Sequence, residues 1–491
     1  MSGAILPLFI AVPLIAAGIA AFAREGRRWP LALLFATLAA QFVASFGLIG
    51  GTRQGEVLVD GVGGWLPGIA IPFAADMLSA LMLTFTSGLS LVCCWYAVSS
   101  GVGRIRLFAP LVLAMTAGVN GALLTADLFN LFVFIEVMLM PSYGLMILAR
   151  RGRGTERSVY GSRLYVSFNL FVSTLFLMAV GLVYATADTV NLGLLAGAAK
   201  ESGLVAAAAA IALAALGMKA ALLPTHAWLT QAYPSTSPAI TALFSGLHTK
   251  VAVYAIYRLY AVIFDGDDRW LLVGLVIFGA TIAVGAMATA GERSMRSMLS
   301  FSMVSHIGYI LVGVGLFTIG GLAAGLFYLL HHMVVKASQF LSVGAIEDTY
   351  GTDRIDRLRG IGRREPLVAA TFAIAALSLA GLPPFSGFVA KLVLVIATID
   401  AGYVVLAVVL IAASLVTLLA MLRIWNAVFM SPVPEGEAPT RRIPWSLAAP
   451  GAVLAAVTIA LGLGAQLLIP LTEVAAEGLR DTSVYVTEVL R

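Results

Sequence analysis

Charge is scarce in this sequence. Asp, Glu, Lys and Arg make up 11% of its 491 residues, where soluble domains carry roughly 25%. Hydrophobic residues make up 60% and the mean hydropathy is +0.98, which together exclude a soluble enzyme or a nucleic-acid-binding domain. The formal net charge of +5 is spread over many short loops and forms no basic patch. Cysteine is nearly absent. Cys93 and Cys94 are adjacent inside an apolar run, so they fit neither a disulfide framework nor a metal cluster and read as small apolar fillers. No G-x-G-x-x-G opens after a strand, no H-x-x-x-H or acidic cluster suggests a metal, and no flavin, haem or iron–sulfur signature is present. No cofactor is expected, and any redox chemistry would have to reside on a partner. The N-terminus lacks a basic n-region and an A-x-A-like site, so it reads as a first spanning helix and not as a cleaved signal.

What the chain does have is long apolar runs. Stretches of about 20 residues, the length that crosses a bilayer core, lie near 4–23, 29–50, 73–99, 107–126, 128–149, 160–186, 203–233, 237–264, 270–290, 298–317, 320–347, 366–399, 402–430 and 445–470. The expected fold is an all-α polytopic membrane protein of about fourteen transmembrane helices, forming one membrane domain over 1–491. The stretch 51–72 is too polar and glycine-rich to span and suits a small hairpin. The tail after Pro470 is short and mixed in charge.

Arginine sets the orientation. With fourteen spans, alternate loops place twenty Arg on one side, among them Arg24, Arg104, Arg150, Arg293, Arg354 and Arg441. The other side holds five cations: Arg53, Lys200, Arg269, Arg480 and Arg491. Positive charge collects on the cytoplasmic side, so both termini are expected outside.

Lysine is rare, and its placement is unusual. Of five lysines, four (Lys219, Lys250, Lys336 and Lys391) lie within apolar runs, where each costs about 2.5–3.5 kcal/mol on insertion scales. No arginine sits at mid-span, although Arg258 lies toward the outer end of its run. Lysine releases its proton readily on burial and guanidinium does not, so the choice of lysine suits proton carriage. Glu136, in LFNLFVFIEVMLMPSY, is the acid at that depth and the natural partner of a lysine whose number the sequence leaves open. Asp127 falls at a helix end and reads as a cap. His306 is near mid-span in SMVSHIGYI. His332 and Lys336 stand at i and i+4 on one helix face, a spacing that suits a relay. His248 and Lys250, two apart, point in different directions. His226, beside Pro224, is expected to satisfy freed backbone groups.

Two runs are interrupted. Lys219 precedes Pro224, and Pro383, Pro384 and Gly387 precede Lys391. Proline frees backbone groups that are tolerated at membrane depth only beside protein or a water-filled cavity. Two interrupted helices, five apart in order, predict inverted repeats of five helices, over 107–264 and 270–430. Such repeats with discontinuous helices are typical of transporters, and Lys391 is expected to mirror Lys219.

The phrases DLFNLFVFIEV, ALFSGLHTKVAVYAIYR and FYLLHHMVVKASQFLSVGAI resemble the antiporter-like superfamily shared by Mrp-type cation/proton antiporters and respiratory complex I, and within it the D-type branch of the Mrp antiporters. The resemblance covers almost the whole chain. It implies fourteen helices, two inverted five-helix repeats and a polar axis of Glu136, Lys219, Lys250, His332 with Lys336, and Lys391. His306 matches a position where many relatives are polar. M-type complex I subunits usually have glutamate at the place of Lys391. An N-type subunit has lysine there and is the main alternative, whereas the His-His-x-x-x-Lys run favours the Mrp branch. The resemblance implies a multisubunit Mrp antiporter complex of the cell membrane, with a large A-type partner and small membrane subunits, moving protons against Na+. The competing function is a proton-pumping subunit of complex I or a membrane-bound hydrogenase. A scaffold without transport would not need four midplane lysines.

Overall fold

The computed structural model describes residues 3–65, 70–149, 156–432 and 442–491, and the side chains of all but 156–158 among them. Arg150, Arg151, Arg153 and Arg441, and the side chain of Arg157, enter the charge count but lie outside this description. Helix dominates. In chain order the helices are α1 (Leu8–Ala21), α2 (Trp29–Gly51), α3 (Met77–Ser99), α4 (Phe108–Leu124), α5 (Leu128–Leu148), α6 (Glu156–Ala187), α7 (Ala198–Glu201), α8 (Gly203–Lys219), α9 (Ala227–Ala232) and α10 (Pro238–Ile263). There follow α11 (Leu271–Gly291), α12 (Met295–Leu316), α13 (Ile319–Tyr350), α14 (Ile361–Arg364), α15 (Pro366–Ala380), α16 (Ser386–Asp400), α17 (Val404–Ile424), α18 (Trp445–Leu463), α19 (Ala465–Arg480) and α20 (Ser483–Val489).

Each apolar run holds helix, and among the described residues eleven helices are long and apolar enough to cross a membrane. The apolar helices α4, α8 and α15 are shorter. Within 51–75 the hairpin is present: β1 (Leu58–Gly61) pairs antiparallel with β2 (Pro72–Ala75), Leu58 opposite Ala75. The last run departs from expectation. Helix α18 ends at Leu463, short of 470, and the tail folds into α19 and α20, whose buried Ala476, Leu479 and Tyr485 pack onto the bundle.

Helix starts follow the sequence. Asp76, Asp127, Ser202, Ser237, Ser294 and Thr318 each accept a backbone N–H from the first turn of the following helix, satisfying donors that lipid cannot. Asp127 is thus a cap, its Oδ1 2.7 Å from the Asn130 nitrogen. Within α3, Thr84, Thr86, Ser87 and Ser90 return their hydroxyls to carbonyls one turn back, which keeps these polar groups bonded inside the bundle.

The helices sort into two layers by burial. All of α10 is buried, and nearly all of α12 and α13, whereas α2, α6, α11 and α17 leave large apolar side chains such as Val43, Met178, Val276 and Leu419 on the outside. That outer surface suits lipid. The three inner helices carry Lys250, His306, His332 and Lys336.

The two interruptions close in the same way. After α8, Ala221 adopts a left-handed backbone (φ 65°) and the Leu222 nitrogen donates to the Gly217 carbonyl at 2.9 Å. After α15, Gly381 is left-handed (φ 90°) and the Leu382 nitrogen donates to the Leu377 carbonyl at 3.1 Å. Each second-break residue stands 160 positions after its counterpart: 221 and 381, 217 and 377, 222 and 382. Bonds of this six-to-one kind satisfy carbonyls left at a helix end. The residue 160 positions after Lys219 is Leu379, and Lys391 lies twelve positions beyond it. Lys219 ends the segment before its break, and Lys391 lies on the segment after its own, in α16.

Candidate functional site

The first cluster forms where α5, α6, α8 and α10 meet. Lys219, the last residue of α8, is buried, and its ammonium donates to Ser173 Oγ of α6 at 2.8 Å. Glu136 lies within electrostatic reach of Lys219 and of Tyr143, and its Oε1 is buried with no hydrogen-bond partner. Lys219 is thus a lysine within electrostatic reach of Glu136, although no direct ion pair joins them. Tyr165 of α6 extends the cluster: its hydroxyl is 2.9 Å from Ser142 Oγ and 2.8 Å from His248 Nδ1. His248 stacks on Phe244 with ring centres 4.2 Å apart and is within electrostatic reach of Lys219.

Lys250 turns away from this cluster. It is wholly buried, its ammonium donates to Thr249 Oγ1 at 3.1 Å, and the charges within its reach are His332 and Lys336 of α13. Position 250 lies about 200° around the helix from 248 at 100° per residue, so one helix presents a titratable group to each half of the bundle.

The second cluster joins α12, α13 and α16. The Lys336 ammonium donates to Ser302 Oγ at 2.9 Å, to the Leu299 carbonyl at 3.2 Å and to Gln339 Oε1 at 3.2 Å. Three oxygen acceptors are what a buried ammonium needs. His306 Nδ1 is 2.6 Å from the Ser302 carbonyl, and its ring stacks on His332 at 5.6 Å. His332 shares a face with Lys336 as its spacing required, yet neither of its nitrogens has a hydrogen-bond partner, and Lys336 binds α12 instead.

His331 points the other way, toward the second break. Its Nδ1 is 2.8 Å from Ser386 Oγ, at the start of α16. Gly387 allows this approach: a Cβ there would meet the Ser378 carbonyl oxygen at 1.7 Å and His331 Cε1 at 3.0 Å. One turn on, the Lys391 ammonium donates to the Ala380 carbonyl at 3.2 Å and lies 5.1 Å above the Tyr309 ring. This carbonyl is among those freed by the break. Lys391 is within electrostatic reach of His306 and His331.

Of the seven positions singled out in the sequence, six are buried and Glu136 is half-buried with its Oε1 enclosed; Lys250 stands on α10 and the others form two groups on either side of it. Sequence reasoning missed Ser173, Tyr165, Ser302, Gln339, Ser386 and the role of His331. Ser302, four residues before His306, and Gln339, three after Lys336, had a local signal on one helix face, and His331 adjoins His332. Ser173, Tyr165 and Ser386 reach the axis from elements remote in sequence. His226 stands at the break, at the head of α9, and its Nδ1 is buried without a hydrogen-bond partner. Among the described residues no group of His, Cys, Asp and Glu is placed to hold a metal ion.

Bundle and axis together define a polytopic membrane protein with a titratable interior. The chain belongs to the NADH:quinone oxidoreductase/Mrp antiporter transmembrane family, which matches residues 125–417. It is 34% identical to the D-type subunit of the Na(+)/H(+) antiporter of Alkalihalophilus pseudofirmus over 445 residues, 89% of either chain. It is 33% identical to that of Bacillus subtilis, over 88% of either chain. Among solved structures it superposes on a chain of the Mrp complex from a Dietzia species with a TM-score of 0.96 and 50% identity, covering 100% of this chain and 99% of that one. A chain of an archaeal membrane-bound sulfane sulfur reductase shares the fold alone, with a TM-score of 0.89 and 24% identity, covering 99% of this chain and all of that one.

Proposed function

We propose that this chain is the D-type subunit of a multisubunit Mrp cation/proton antiporter, and that it moves protons across the bacterial cell membrane along the buried axis while Na+ is expelled. The observation that carries this reading is the run of buried titratable groups, each within reach of the next inside each half: Glu136 with Lys219 and His248, then Lys250 with His332 and Lys336, then His306 and His331 with Lys391. Lysines at this depth are expensive, and a chain that keeps four of them uses them. Lys219 and Lys391 carry protons where broken helices leave free carbonyls, and Ser302 links Lys336 to His306. The partners are the large A-type component and the small membrane subunits of such a complex. The chain works as a transporter component without catalysing a reaction.

The arrangement comprises fourteen crossings, with α8–α9 and α15–α16 each forming one discontinuous crossing. Both termini lie outside. Two inverted five-helix repeats, 107–264 and 270–430, are supported by the shared closure of the two breaks at a constant spacing of 160 residues. The test is Na+/H+ exchange in everted vesicles carrying the complex with Glu136→Gln or Lys219→Ala. Loss of exchange at normal complex levels is expected, and full exchange by either variant would overturn the assignment.

A further inference from the structure

One face of α10 continues beyond Lys250 as a polar ladder. Lys250, Tyr254 and Arg258 follow at intervals of four, which keeps them on one face and carries the ladder about 12 Å along the axis at 1.5 Å per residue. Half of a hydrocarbon core is about 15 Å, so the ladder runs from the midplane lysine to the membrane edge. Every rung is inside protein: Lys250 is 0% exposed, Tyr254 3% and Arg258 2%. The Tyr254 hydroxyl is 2.9 Å from Ser79 Oγ of α3 and donates to the Leu123 carbonyl at 2.7 Å. At the top, Arg258 Nη2 pairs with Asp76 Oδ2 at 2.7 Å. Its guanidinium lies 4.5 Å above the ring of Tyr485 of α20, and its Nε and Nη1 are buried without a hydrogen-bond partner.

Directly above this ion pair is a cavity of about 240 Å³. Asp76 and Tyr485, which clasp Arg258 from two sides, both line it. Its walls come from the α2–β1 connection and the tail helices and carry Glu56, Glu477 and Asp481. Arg258 itself does not line the cavity and meets it through Asp76 and Tyr485. Among the described residues these carboxylates form no metal-holding group, and a lining of acids and backbone at the protein's edge suits water.

We propose that this cavity is the outward proton port of the protein, and that Tyr254, Ser79 and Asp76 connect it to Lys250. Each hydroxyl on the way accepts one proton on its oxygen as it gives up the one it held, so none is left charged. Arg258 stays protonated and acts by holding Asp76 in place. Glu56, Glu477 and Asp481 exchange the proton with outside water. The tail helices are thereby part of the port, a role that their sequence, short and mixed in charge, did not suggest.

The port rests on the proposed function and its orientation, and the experiment separates the two. A Cβ at Gly478, which lines the cavity, meets nothing within 4 Å, so Gly478→Cys is expected to fold and transport normally in the assembled complex. A membrane-impermeant maleimide added outside should then stop exchange, while the same label on Arg491→Cys, on the exposed end of the chain, should not. Complete labelling of Gly478→Cys with undiminished exchange would overturn the port. Labelling and block only from the cytoplasmic side would leave the port and overturn the orientation. As a chemical check, Asp76→Glu should keep most of the exchange and Tyr254→Phe should lose about 10²-fold or more, the range for removing a proton-transfer group. Unchanged exchange by Tyr254→Phe would remove the ladder from the path.

Discussion

His248 and Lys250, two residues apart on α10, belong to different halves of the polar axis. The His248 ring is 2.8 Å from the Tyr165 hydroxyl in the first cluster, whereas Lys250 faces His332 and Lys336 in the second. A proton passing from Lys219 to Lys250 must therefore get around a helix that is buried on every side. The residues that could carry it past are on that helix itself, His248, Thr249 and Lys250.

The first expectation concerns the first cluster. Glu136→Gln and Lys219→Ala should each lower exchange by about 10²-fold or more, as when a proton-transfer group is lost, with the complex still assembled. Ser173→Ala should be milder, because it removes one bond to the Lys219 ammonium and not the group itself. Exchange rates in vesicles with matched protein levels measure all three, and a Ser173→Ala defect as deep as that of Lys219→Ala would reverse the ranking.

Ser302 offers a test of the second cluster. Ser302→Ala leaves Lys336 with the Leu299 carbonyl and Gln339 but removes its shortest bond. A hydrogen bond to a charged group contributes about 1.5–3 kcal/mol, so the detergent-solubilised complex should unfold at lower temperature and exchange several-fold more slowly. A thermal melt and an exchange rate both equal to wild type would separate Lys336 from Ser302.

Lys391 distinguishes a carrier from a fixed charge. Lys391→Arg keeps the cation above the Tyr309 ring but not the readily lost proton, so it should assemble and transport poorly. Lys391→Glu, which restores a titratable group, should retain part of the exchange. Near-normal sodium uptake by the arginine variant would show that Lys391 supplies only a charge.

Orientation can be read by thiol labelling with little background, because Cys93 and Cys94 are buried. An impermeant reagent outside the cell should label Arg491→Cys and not Arg357→Cys. The reverse pattern would place the twenty-cation side outside.

The loop between α10 and α11 carries a pH expectation. The Arg269 guanidinium, bonded to both oxygens of Asp267, holds that carboxyl below the usual carboxylate range. A depressed carboxyl contributes stability above its unfolded pKa of about 3.9 and loses it as pH falls through the folded value. Amide exchange in residues 264–270 should therefore be steady in protection from pH 5 to 8 after correction for the intrinsic rate, and rise in Asp267→Asn. Loss of protection between pH 5 and 8 in the native chain would assign the loop's stability to another group.

Much of the axis could be read from the sequence because lipid makes it so. In a chain with 11% charge, a lysine within an apolar run stands out, and i, i+4 spacing places His332 with Lys336 and Ser302 with His306 without knowledge of any other helix. Hydropathy gave the runs, proline the breaks, and a helix-end aspartate the cap at Asp127. These are local effects, set within a few residues. The tertiary structure decided what depends on distant elements: that Glu136 lies within electrostatic reach of Lys219, that Lys336 binds Ser302 across two helices and not its own neighbour His332, and that Lys219 and Lys391 lie on opposite sides of their breaks. It also decided that Arg258 pairs with Asp76 under a cavity roofed by the tail. A side chain's nearest charge is fixed by which helices pack together, and in a bundle of uniformly apolar helices the pattern along one strip of sequence does not say which helix will be its neighbour.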